Sequence, residues 1–127
     1  MAECSCDCET FRLTAGETYP AVSDPRPDAF VCQNDALAAD FACSLRQLGY
    51  SIPEDVMIAG FDGMDISRVM TPPLTTIRQP YAEIARAVFE QLMRRVRNPA
   101  GPAQRIYLPE KLIVRASTQR ERKGRSA

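Results

Sequence analysis

The hydrophobic and polar positions change rhythm several times along the chain, and each change marks an element. Residues 1–27 show little periodicity. They carry Gly16, Pro20, Pro25 and Pro27 among acids and hydroxyls, a composition that predicts loop or disorder. Order begins at Asp28. Ala29-Phe-Val-Cys32 is a short apolar run predicted to form a buried strand, and Asn34 behind it is placed to cap a helix. In residues 35–48, Leu37, Phe41, Leu45 and Leu48 recur at helical spacing, backed by Ala38 and Ala42, and Gly49 supplies the stop. Ser51-Ile-Pro-Glu-Asp55 then turns the chain into Val56-Met-Ile-Ala-Gly-Phe61. This run, bounded by turn residues, is predicted to be a strand buried on both faces.

The second half repeats the alternation. Residues 64–71 read as a short helical turn closed by Pro72 and Pro73, and Leu74-Thr-Thr-Ile-Arg-Gln79 as a strand. Pro80 opens an amphipathic helix over 81–97. Ile84, Val88, Leu92 and Val96, with Ala85, Phe89 and Met93, give it one wide apolar face. Residues 105–108 and 111–115 are predicted as two further short strands, separated by Pro109 and Glu110. Strand, helix and strand in this order and length predict a parallel α/β sheet with flanking helices. In such a sheet ligands sit beyond the carboxyl ends of the strands. Asn34 and Asp62 fall at that edge on neighbouring strands. The residues alone leave two readings of Asp62: a carboxylate holding the hydroxyl or amino group of a small ligand, or a solvated turn aspartate beside Gly63.

Composition narrows the classes. With 127 residues, 45% apolar and 25% charged, the chain has the proportions of one globular domain. Its formal charge is zero but unevenly spread. Six acids lie in residues 1–28 against Arg12 and Arg26, and ten Lys or Arg lie in 94–127 against Glu110 and Glu121. The tail from Gln119 to Arg125 reads as a solvated basic terminus, with nonspecific nucleic-acid contact as the alternative. No run is long and apolar enough to span a membrane, and the start lacks a secretory signal pattern, so the chain reads as cytoplasmic. The absence of histidine excludes His-based nucleophile systems. Cys4, Cys6 and Cys8 form a C-x-C-x-C cluster without the C-x2-C spacing or second ligand pair of a zinc site, so no metal is assigned. Cys32 and Cys43 are expected to be small core residues. Neither a nucleophile–base pair nor a phosphate-cradling glycine loop appears, so the chain does not read as an enzyme, and no cofactor is assigned.

Six stretches occur in one order and at fitting spacing: Pro27-Asp-Ala-Phe-Val-Cys-Gln-Asn-Asp35, Leu48-Gly49, Ile52-Pro-Glu-Asp-Val56, Ala59-Gly-Phe-Asp62, Thr71-Pro-Pro-Leu-Thr-Thr-Ile-Arg-Gln-Pro80 and Leu108-Pro-Glu-Lys-Leu-Ile-Val-Arg115. Together they closely resemble the C-terminal part of the effector-binding domain of the LacI/GalR transcription regulators. The resemblance spans residues 27–118, leaving 1–26 as an irregular segment and 119–127 as a basic tail. It implies part of a two-lobed, periplasmic-binding-protein-like fold that closes around a sugar or similar small molecule. It implies Asn34, Asp62 and Gln79 as effector-binding residues, and Ala38, Ala39, Ala42, Val69 and Met70 as a dimer interface. DNA would be reached only through a helix-turn-helix that residues 1–127 do not show. Two departures stand out. Gly63 occupies a position where many relatives carry a second acid, and the apolar face of helix 81–97 lacks the first-lobe sheet on which it would rest. The chain therefore reads as part of a longer regulator, with a stand-alone sugar-binding or dimerisation module as the alternative.

Overall fold

The computed structural model describes residues 27–120. Three parallel strands and one antiparallel strand form a single sheet in the order β1 (Ala29–Val31), β2 (Met57–Asp62), β3 (Thr75–Arg78), β4 (Lys111–Ile113). Ala29 pairs with Met57, Ala59 with Thr75 and Thr76 with Ile113. Between the strands lie α1 (Asp35–Gln47), α2 (Ile66–Val69) and α3 (Tyr81–Arg97), and a single 3-10 turn (Ala116–Thr118) follows β4. The α/β class, the strand–helix–strand unit and the long helix agree with the sequence reading.

The core lies between α1 and one face of the sheet. Ala38, Phe41, Ala42 and Leu45 of α1 meet Ile52, Val56, Ile58 and Leu74. Phe30 reaches Phe41 edge-on, with ring centroids 4.8 Å apart. Leu45, Ile58 and Leu74 are fully buried, each contributing about 1.5–3 kcal/mol. The helix ends as its sequence requires: Asn34 Oδ1 accepts the Leu37 N–H at 2.9 Å, and Gly49 at φ +90° follows the last turn.

Four expectations are corrected. β1 is not a buried strand but an edge strand, and Val31 on its far face is 84% exposed. β2 is fully buried on one face only: Ile58 and Gly60 are covered by α1, while Met57, Ala59 and Phe61 are half-buried. α3, by contrast, is as the sequence reading has it: it contributes no buried residue, and its apolar face is open at Val88, Phe89, Leu92 and Val96. Residues 105–108 form no strand, since a strand needs a neighbour for its N–H and C=O groups and none among the described residues pairs with this run. Cys43 is exposed rather than buried, whereas Cys32 is half-buried and its thiol is pushed up to about 11 by desolvation. A thiol so shifted stays protonated and inert at neutral pH. The readings of residues 1–26, including the Cys4, Cys6 and Cys8 cluster, and of the tail beyond Arg120 lie outside the described residues.

The seam between β2 and β3 is closed at its amino end by a side chain rather than by the ladder. Ser117 Oγ donates to the Ile58 carbonyl at 2.6 Å and accepts the Thr75 N–H at 2.8 Å. Thr75 Oγ1 in turn donates to the Arg115 carbonyl, and the Arg115 guanidinium donates to the Leu74 carbonyl at 2.7 Å. All of Ser117 is buried.

Candidate effector site at the carboxyl edge of the sheet

Because β1, β2 and β3 run parallel, their carboxyl ends share one edge. Asn34 lies three residues past Val31, Asp62 ends β2 and Gln79 follows β3, so the three residues read as effector-binding are placed on this edge. Asp62 and Gln79 are joined directly: Gln79 Nε2 donates to Asp62 Oδ1 at 2.7 Å. This fixes the amide orientation of Gln79 and leaves further lone pairs of the carboxylate to accept ligand hydroxyls. Asn34 is already engaged through Oδ1 as the α1 cap, so its Nδ2 group is the part offered outward.

The backbone at this edge is unusual. Asp62 has φ +99° and Gly63 φ +71°, two consecutive residues in the region that L side chains avoid. A non-glycine residue held there costs on the order of 1 kcal/mol or more, and such outliers cluster at functional sites. Gly63 has a second requirement. A Cβ at this position would come within 2.8 Å of Arg78 Cα, so the second acid expected from relatives has no room here.

Beneath the turn lies a group to which the sequence reading assigned no role. Asp35, the first residue of α1, is fully buried. Its Oδ1 accepts the Thr76 hydroxyl and its Oδ2 accepts the Met64 N–H, both at 2.6 Å. Thr76 Oγ1 also accepts the Gly63 N–H at 3.2 Å. Gly60 makes space for the Asp35 carboxylate, since a Cβ at 60 would overlap Asp35 Oδ1 and lie 2.9 Å from Leu74 Cδ2. A glycine inside a strand is the sequence signal of such a close approach. Tyr81, also missed, opens α3 beside this edge. Its phenol titrates above the ordinary tyrosine value, through desolvation first and then through the charges of Asp62 and Asp35.

The residues read as a dimer interface divide. Ala38 and Ala42 are buried in this chain's own core, where small side chains let α1 approach the sheet. That corrects their assignment to a partner surface. Ala39 and Met70 are half-buried, and Val69 is 75% exposed. Among the described residues, no three His, Cys, Asp or Glu groups gather as metal ligands, and no helix is long and apolar enough to cross a membrane.

The mostly parallel sheet, with an acid and an amide joined at its carboxyl edge, defines an α/β domain, and comparison with known proteins places it in a family. Residues 4–118 match the periplasmic binding protein-like domain, a match that starts ahead of residue 27. The chain belongs to that family, and its relatives are transcription repressors of the LacI type rather than enzymes. The HTH-type transcriptional repressor PurR of Vibrio vulnificus is 32% identical over 114 residues, covering 90% of this chain and 34% of that protein. The ribose operon repressor of Haemophilus influenzae is 35% identical over 92 residues, covering 72% and 28%. The crystal structure of a LacI family transcriptional regulator from Enterococcus faecium with bound ribose superposes with TM-score 0.63 at 34% identity. It covers 71% of this chain and 34% of that one. The chain thus spans about a third of the length of the relatives it matches.

Proposed function

We propose that residues 27–118 are part of the effector-sensing domain of a LacI-type transcription regulator and contribute one wall of a site for a polyhydroxylated small molecule, a sugar above all. The observation that carries this reading is the Asp62–Gln79 pair, held at the carboxyl edge by a positive-φ turn. An ionised carboxylate accepts strong hydrogen bonds from sugar hydroxyls, Gln79 fixes its orientation, and the Asn34 amide adds a donor. The ribose bound to the Enterococcus faecium relative supports the sugar class. In the whole regulator, a ligand bound between two lobes shifts a dimer between DNA-binding states by its differential affinity for them. DNA contact would belong to a helix-turn-helix, which the described residues do not contain.

The test is a 1H–15N NMR titration of the purified chain with a panel of monosaccharides and purine bases. At least one member shifts the amides of Asp62, Gly63 and Gln79, and Asp62→Ala weakens that binding about tenfold or more, the worth of one charge-assisted hydrogen bond. A panel that leaves these amides unmoved, or a ligand indifferent to Asp62→Ala, rules the reading out.

Homodimerisation belongs to the same proposal, now resting on Ala39, Val69 and Met70. The exposed Val69 is the residue with most surface to offer a partner. Light scattering after size exclusion is expected to give a dimer for the native chain and a monomer for Val69→Asp, because a charge in an apolar contact is left desolvated. A dimer unchanged by Val69→Asp would place the contact elsewhere.

A further inference from the structure

We infer that Asp35 is a positioning residue for the effector site: its buried carboxylate holds the left-handed turn that presents Asp62 to ligand. The inference rests on the reading of Asp62 as the ligand-holding carboxylate, and adds what keeps it in place.

The argument starts from the turn's cost. Asp62 at φ +99° is in a region that residues other than glycine seldom adopt, although aspartate tolerates it better than most. The compensation comes from below. The two N–H groups that follow Asp62, those of Gly63 and Met64, are both tied to the Asp35 carboxylate. Met64 donates to Oδ2 directly, and Gly63 donates to Thr76 Oγ1, which donates to Oδ1. Each bond fixes one of the two peptide units whose rotation sets the turn. A carboxylate suits this task because it is acceptor-only and takes both bonds at once, one on each oxygen.

The surroundings hold the carboxylate rigidly. Asp35 and Thr76 are both fully buried. Asp35 sits in the first turn of α1, where the helix dipole favours a negative charge. Gly60 lies against it and pairs with Thr76 across β2 and β3, so the carboxylate is packed directly on the sheet. The Asp62 side chain leaves the turn toward Gln79, and a 2.7 Å bond joins the two. Replacing Asp35 by asparagine keeps the shape but turns one acceptor oxygen into a donor group. One of the two bonds is lost, and an N–H donor faces another donor.

The experiment uses the full chain and reads the turn without needing a ligand. In the native protein, the Gln79 side-chain amide protons are expected to be shifted and slowed in exchange by their bond to Asp62, and the carbon shifts of Asp62 to report its positive φ. Asp35→Asn and Thr76→Val each abolish both signatures while circular dichroism still shows a cooperative melt, and Thr76→Ser, which keeps the hydroxyl, retains both. Ribose, added as the probe, then binds about tenfold or more weakly to Asp35→Asn and Thr76→Val than to Thr76→Ser. If Asp35→Asn fails to fold, Thr76→Val carries the same comparison. A folded variant of either kind that keeps the Gln79 and Asp62 signatures overturns the inference. Native protein that shows the signatures, loses them in the variants and ignores ribose supports the positioning role while striking ribose from the ligand panel.

Discussion

Gly60→Ala is expected to destabilise the domain by about 3 kcal/mol or more, read as a fall in the urea midpoint at unchanged slope. The added methyl has nowhere to go. It overlaps Asp35 Oδ1 and lies 2.9 Å from Leu74 Cδ2 and 3.2 Å from Asp35 Cα, and both of those residues are fully buried. Relief requires α1 to lift from the sheet or the carboxylate to turn away. Lifting α1 opens the core around Ala38 and Leu45, and turning the carboxylate away orphans the Met64 N–H and the Thr76 hydroxyl. A double-mutant cycle separates the two routes. If the collision with the carboxylate dominates, Asp35→Ala with Gly60→Ala costs less than the sum of the single changes. Stability within 1 kcal/mol of native for Gly60→Ala would show that the close approach at this point is not real.

The second large effect is expected at Ser117. Removing its hydroxyl leaves the buried Thr75 N–H without its acceptor and takes the donor from the Ile58 carbonyl. Ser117→Ala should therefore cost about 2 kcal/mol or more, and lower the melting temperature by roughly 10 °C for a domain of this size. Gln119→Ala, two residues on and exposed, serves as the control and should leave the melt in place. Equal melting of the two variants would mean that the seam draws nothing from Ser117.

Much of the framework was legible because it depends on periodicity and punctuation, which are local. Phe41 and Leu45 at helical spacing, Asn34 before them and Gly49 after them specify α1 without reference to anything distant. The run ending at Asp62 and the strand before Gln79 place both residues at one edge once the strands are parallel. What escaped depends on which faces are covered. Ala38 and Ala42 form a smooth face in any reading, but only the fold tells whether that face meets the sheet or a partner, and it meets the sheet. Val31 and Met57 belong to apolar runs that read as buried, yet among the described residues no helix buries the face they occupy, and α3 contributes no buried residue. Asp35 carries no local sign of burial, which follows from Gly60, Thr76 and Met64, residues 25 or more positions away that no local pattern joins to it.

The Ser117 seam also dictates an order of assembly. β1, α1 and β2 lie within one short stretch and can meet with little loop-closure cost, and β3 joins them next. The bonds that finish the β2–β3 boundary join positions 42 and 59 residues apart. Their loop must close before they return anything, and non-local closures of this kind slow folding from microseconds toward milliseconds or seconds. On this argument the strand–helix–strand unit is expected to form first and the 3-10 turn to dock after it. Slow exchange at Ile58 alongside faster exchange at Thr75 would record that sequence of events.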